Sequence, residues 1–144
     1  MRRIVNVLVF MLLFITVACN QTIENEDINI PKINLTGNWT VNAYIDSSLI
    51  FGPFTIATRM TTKNDSLYIK DNGEFWNFQV KAKSINSSNT FKTKASVNEI
   101  SSLGAKINIL NGRVINNTSI AFDIQFQDDE TPYGFTYTLK GHRK

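Results

Sequence analysis

A single histidine, a single cysteine and three prolines occur in the 144 residues of this chain. One cysteine has no partner for an internal disulfide, and one cysteine with one histidine falls short of a zinc site. A Ser/His/Asp system would have to use His142, third from the end, and no Gly-x-Ser-x-Gly elbow accompanies it. No glycine-rich phosphate loop occurs either. Charge of one sign is also scarce, with 15 Lys and Arg against 12 Asp and Glu. Arg2 and Arg3 stand in an N-terminal leader, and its removal leaves 13 against 12. That near-neutral balance lacks the clustered basic charge that nucleic-acid binding demands. No amphipathic pattern of helical period reaches normal helix length, so the chain must build its core from something else.

The leader is the first feature present. Arg2 and Arg3 precede an apolar run from Val7 to Val17, and Ala18 is a small residue at a cleavage point. The run is shorter than the ~20 residues that span a bilayer, which favours a secretory signal over a permanent membrane helix. Thr16-Val17-Ala18-Cys19 resembles a bacterial lipobox, with Thr16 where leucine is usual. That resemblance implies cleavage before Cys19 and acylation of it, and several acyl chains anchor a protein stably. Asn20 follows the cysteine where inner-membrane lipoproteins carry aspartate, which points to the outer membrane. Residues 20 to 34 are polar and acidic, with Glu24, Glu26, Asp27 and Pro31, and read as a flexible tether. The expected organisation is a signal peptide over 1–18, lipidated Cys19 and tether over 19–34, and a globular domain over 35–144.

From Gly37 onward a period of two dominates. Trp39, Val41, Ala43 and Ile45 alternate with polar residues, as do Phe54, Ile56, Thr58 and Met60. Asn72-Gly73 reads as a hairpin turn into a strand with Trp76, Phe78, Val80 and Ala82 inward. Phe91, Thr93 and Ala95 continue the pattern, followed by Ile107 and Ile109. Asn111-Gly112 is a second hairpin signal leading into Val114. Ile120, Phe122, Ile124 and Phe126 alternate cleanly, and a loop at Asp128–Pro132 precedes Phe135, Tyr137 and Leu139. Eight to nine short strands predict an all-β domain, an antiparallel up-and-down barrel, with a two-sheet sandwich as the other way to bury one apolar face. At about eight strands the interior is either filled by side chains or holds one small ligand.

The segments Gly73–Lys83, Ile107–Val114 and Phe122–Asp128, with the ending Tyr137–Arg143, resemble the family of small bacterial lipoproteins described as lipid-binding putative hydrolases, with a calycin-like barrel. The likeness covers roughly residues 35 to 143. It implies lipid binding more clearly than hydrolysis and supplies no catalytic residues. Gly37-Asn38-Trp39 is similar to the Gly-x-Trp that opens the first strand of lipocalins and other calycins. There the tryptophan closes one barrel end beneath an arginine of the last strand. By that likeness Arg143 either stacks on Trp39 or remains a solvated terminal residue.

These readings give a set of candidate residues. Ile56, Met60, Trp76, Phe78, Val80, Phe122, Ile124, Phe126 and Tyr137 are core or ligand pocket, with the pocket members near the mouth. The segment from Asp46 to Pro53 is expected to be a loop whose Leu49, Ile50 and Phe51 form either a portal or a plug. Trp39 and Arg143 are the barrel-end closure. No metal ligand set, cofactor site or catalytic constellation emerges. Asp46, Asp71, Glu74 and Asp123 are carboxylates that a fold would have to bring together. The expected function is a membrane-anchored, monomeric barrel holding a small apolar or lipid-like ligand. Its rivals are an envelope scaffold with a solid barrel, whose outer wall offers Lys81, Lys83, Lys92 and Lys94 to a partner, and an esterase-like hydrolase.

Overall fold

The computed structural model describes residues 33–85 and 88–144. The predicted leader, Cys19 and the tether through residue 32 lie outside the described residues. The described residues form eight strands: β1 (Gly37–Ile45), β2 (Ser48–Met60), β3 (Ser66–Asp71), β4 (Gln79–Ile85), β5 (Thr90–Val97), β6 (Lys106–Ile115), β7 (Ser119–Phe126) and β8 (Tyr137–Arg143). Each pairs antiparallel with the next, and β8 returns to pair with β1 from Tyr44↔Thr138 to Trp39↔Arg143. The sheet is a closed up-and-down barrel, which leaves no unpaired edge. The period of two dictates the rest. Trp39, Val41, Ile56, Leu67, Ile69, Val80, Ile107, Ile109, Ile124 and Leu139 are all fully buried along the axis. They form one contiguous core cluster with Phe54, Phe78, Phe91, Phe122 and Phe126. Each such side chain contributes about 1.5–3 kcal/mol by leaving water. With its own core and no open edge, the unit Lys32–Lys144 is a folding domain by itself.

Up-and-down order sends alternate connections to opposite ends. One end, the mouth, carries the β1–β2 turn and the loops 72–78, 98–105 and 127–136. The other, closed end carries the chain's entry into β1, its exit from β8 and the remaining turns. Arg143 organises the closed end. Its guanidinium carbon lies 4.2 Å from the Trp39 ring centroid, with Gly37 directly beneath, where a Cβ would collide with Nη1. Nε donates to the Asn117 carbonyl at 2.6 Å, and Nη1 and Nη2 donate to the carbonyls of Thr36 at 2.7 Å and Asn34 at 2.8 Å. Below it the Trp39 indole N–H donates to Thr58 Oγ1 at 2.8 Å, and that hydroxyl donates to the Leu35 carbonyl at 2.6 Å. The buried polar threonine on an otherwise apolar face is thereby satisfied.

Three local expectations are corrected. The Asn72-Gly73 turn does not enter a strand at once, because β3 ends at Asp71 and β4 starts only at Gln79. The Asp71 carboxylate, fully buried, draws the intervening amides onto itself, and Asn77 takes a left-handed φ of 48° that interrupts extended backbone. Asn111-Gly112 is no hairpin either. Asn111, at φ 52°, makes a bulge inside β6, and the hairpin falls at Asn116 and Asn117, both left-handed. Gly112 is required where it stands because the Phe91 ring lies across it and a Cβ would meet that ring. Finally, Leu49, Ile50 and Phe51 belong to β2 rather than to a loop. The turn is only Asp46 and Ser47, both at positive φ, and Leu49 pairs with Tyr44 and Phe51 with Ala43.

One interior group is unsatisfied. Ser84 Oγ is buried without a hydrogen-bond partner among the described residues. A buried polar group left unpaired costs about 1–3 kcal/mol. Ser84→Ala is therefore expected to hold stability level or raise it by about 1 kcal/mol in urea denaturation, whereas most core truncations lower it.

Candidate functional site

The mouth is closed from within by aromatic side chains. Asp71, the last residue of β3, accepts four backbone N–H groups from the loop beyond it. Oδ1 takes Glu74 at 3.2 Å, and Oδ2 takes Phe75, Trp76 and Asn77 at 2.9, 3.0 and 2.9 Å. This carboxylate-centred loop folds Phe75 and Trp76 over the barrel opening. Phe75 packs against Phe54, Phe51 and Tyr137 with centroids 5.1 to 5.5 Å apart. Trp76 stacks on Phe126 at 4.5 Å and 12°. Asn98, nearly fully buried, ties the neighbouring loop to this one: its Oδ1 accepts the Gln79 N–H at 2.9 Å and its Nδ2 donates to the Asn77 carbonyl at 3.5 Å.

Outside that plug lies an open groove of about 460 Å³. Its lining is apolar at Ile45 at the end of β1, Ile50 on β2, Trp76, Phe135 and Tyr137, and acidic at Asp128, Asp129 and Glu130. Its size lies within the ~300–1,000 Å³ of small-molecule sites. Tyr137 links the apolar and acidic lining, since its ring belongs to the core and its hydroxyl donates to Asp129 Oδ2 at 2.8 Å. Burial first, then the Asp129 hydrogen bond and the negative charge of Asp129 and Glu130, push this phenol up to about 12.

The folded value lies above the ordinary 10, so the stability this phenol brings is complete below pH 10 and is lost as pH rises towards about 12. Tyr137→Phe is expected to remove a titration step near pH 12 from the ultraviolet titration of the tyrosines. It should also flatten the alkaline fall in stability between pH 10 and 12.

The structure places Trp76 and Tyr137 on the groove and Phe126 directly beneath it. Ile56, Phe78, Val80, Phe122 and Ile124 lie fully buried in the core. Met60 stands at the opposite end of the barrel, where its N–H meets Thr36 Oγ1 at 3.2 Å. Of the hairpin-tip triplet, Ile50 lines the groove, while Leu49 and Phe51 are exposed beside it. Trp39 and Arg143 come together at the closed end, a barrel length from the groove. Ile45 and the three acids of the β7–β8 loop were missed by sequence reasoning. The signal available was an acidic run flanked by Phe126 and Phe135, which read only as a solvated turn.

The carboxylates do not converge. Asp71 is consumed by its own loop, and Asp123 accepts from Thr138 Oγ1 and Asn111 Nδ2 on the outer wall. His142 is exposed on β8, between Thr40 and Ser119, at the closed end. What the groove assembles is aromatic and aliphatic surface, a neutral phenol held by a carboxylate, and two further carboxylates. Such a set offers apolar contact surface, negative charge and hydrogen-bond acceptors side by side.

A comparison with curated proteins found no match. A family model does match, over residues 24–144, which takes in the whole barrel and its groove. The chain belongs to the family described as lipid-binding putative hydrolase.

Proposed function

We propose that this protein is an exported lipoprotein, anchored through acyl chains on Cys19 in the outer membrane, whose barrel binds a small apolar or lipid-like ligand across its mouth. The observation that carries the reading is the groove of about 460 Å³ above a filled barrel. The ligand lies on the plug formed by Phe75 and Trp76, and the barrel axis, occupied by core side chains, holds the groove walls in place. Membership of a lipid-binding family supports the ligand class. The leader and Cys19 support the anchor, and Cys19→Ala is the change that tests it, through loss of acyl labelling.

The two tryptophans make the binding test direct. Trp39 is fully buried at the closed end, whereas Trp76 is half-buried at the groove. A brominated alkyl ligand added to the domain of residues 20–144 is expected to quench fluorescence saturably, and Trp76→Phe to abolish that quenching. Trp76→Ala should weaken binding by about tenfold or more, as loss of a large aromatic contact does. Absence of saturable quenching, together with native mass spectra free of any adduct, would overturn the reading.

A second reading has its own support. A barrel filled along its axis is also what an envelope scaffold needs, and the cross-strand pair Lys83 and Lys92 with the exposed Lys81 and Lys94 lies on its wall. Charge reversal at these four lysines should abolish capture of an envelope partner under this reading and leave fluorescence quenching at the groove untouched.

A further inference from the structure

Charge on this near-neutral chain is segregated along the barrel. The mouth connections carry Asp46, Glu74, Glu99, Asp128, Asp129 and Glu130, against Lys70 and Lys106 at the neighbouring strand ends. Among the described residues the closed end carries Lys63, Lys83, Lys92, Arg113, Arg143 and Lys144 around the acid Asp65. A ligand entering the groove therefore meets a negative field, and clefts with low-dielectric walls focus such a field. The groove's own chemistry has the same sign. Asp128 and Glu130 are exposed on its rim, and Asp129 keeps its place through Tyr137 and the Glu130 N–H at 2.8 Å. Trp76, Phe135 and Tyr137 line the same groove, and aromatic faces attract cations as carboxylates do.

The geometry points to a ligand with an apolar body and a cationic amine head, the body against Ile45, Ile50 and Trp76 and the head among Asp128, Asp129 and Glu130. This inference rests on the groove being the binding site and narrows what it takes. A free fatty acid, apolar but anionic, would bring its carboxylate against three others. An amine head replaces that repulsion with attraction and can also lie over an aromatic face. Asp129 is half-buried and already shared with Tyr137, so Asp128 and Glu130 are the carboxylates free to respond to the head group.

The test uses three probes of one chain length, dodecylammonium, dodecanol and dodecanoate, each below its micelle concentration. They are titrated by calorimetry into the domain of residues 20–144. Dodecylammonium is expected to bind about tenfold tighter than dodecanol, and dodecanoate more weakly than either, at low salt. The double variant Asp128→Asn with Glu130→Gln changes two exposed side chains. It should reduce the preference for ammonium over dodecanol to about threefold or less. Equal binding of all three probes, tighter binding of dodecanoate, or an undiminished preference in the double variant would overturn the cationic assignment and leave the groove itself standing. If none of the three binds saturably, the groove reading falls with it.

Discussion

Asp71→Ala is expected to destabilise the domain by about 3–5 kcal/mol, because one carboxylate satisfies four backbone donors at once. Hydrogen bonds to a charged acceptor are worth about 1.5–3 kcal/mol each in net terms, and a loop free to relax recovers part of that by turning its amides to water. The loss is concentrated at the mouth. Without the carboxylate residues 74–77 keep only peripheral ties, Asn98 to the Asn77 carbonyl and the Thr55 N–H to Glu74, and Phe75 and Trp76 lose their seats against Phe54 and Phe126. Urea denaturation reads the global effect. Amide exchange at Glu74–Asn77 and acrylamide quenching of Trp76 read the local one, and both should rise well before the barrel melts. Asp71→Asn separates charge and acceptor count from shape. One amide oxygen can replace the atom that accepts three donors, but its NH₂ then faces the fourth, so a smaller loss of about 1–3 kcal/mol is expected. An alanine variant with unchanged exchange at 74–77 would remove Asp71 from its place as the loop's organiser.

This residue also shows where the sequence is legible and where it is not. The alternation Trp76, Phe78, Val80, Ala82 picks out side chains that turn inward but misses Phe75, which packs on Phe54 and Tyr137. It cannot distinguish a strand from a loop wrapped around an aspartate, because Trp76 and Phe78 turn inward in either case. The deciding interaction is a side chain catching amides three to six residues on, and hydrophobic period carries no trace of it. Asn111-Gly112 misleads for a related reason. A left-handed asparagine followed by glycine suits a hairpin turn and a bulge equally, and what settles the choice is the Phe91 ring lying across Gly112 from another strand. By contrast, eight to nine alternating segments left only a closed barrel or a two-sheet sandwich, and the pairing of β8 with β1 decides for the barrel.

The candidate site divides the same way. Aromatic residues near the mouth were recognisable as core or pocket, but the pattern could not say which. Phe78 and Phe122 point inward just as Tyr137 does, and only the filling of the axis by bulky side chains leaves the groove outside the plug. The acidic lining was visible as Asp128-Asp129-Glu130, yet Ile45, Ile50 and Trp76 come to it from β1, β2 and the 72–78 loop. Long-range adjacency of that kind follows from barrel closure and from nothing in the local sequence.

The closed end supplies the second large effect, and there the sequence posed a sharp alternative between a stacked Arg143 and a solvated one. Arg143→Ala is expected to cost about 2–4 kcal/mol, composed of a cation–π contact of about 0.5–2 kcal/mol and three charge-assisted hydrogen bonds discounted for partial exposure. In a domain of this size that lowers the melting temperature by roughly 10 °C. The three carbonyls come from two separate segments, Asn34 and Thr36 on the approach to β1 and Asn117 in the β6–β7 turn, so the guanidinium rivets the chain entry to the barrel. A lysine keeps the charge but has a single compact head that cannot fork to both segments while lying over the indole. Arg143→Lys should therefore recover less than half of the loss. Gly37→Ala should mimic part of it from the other side, since the added Cβ displaces Nη1. Amide protection at Asn34–Thr36 is expected to fall in all three variants while fluorescence quenching at Trp76 persists at temperatures where the barrel is folded, because the groove lies at the opposite end. A shift of less than about 2 °C for Arg143→Ala would place the side chain in solvent instead. Two independent locks, a carboxylate at the mouth and a guanidinium at the closed end, thus hold the barrel's ends, and each is separable by its own amides.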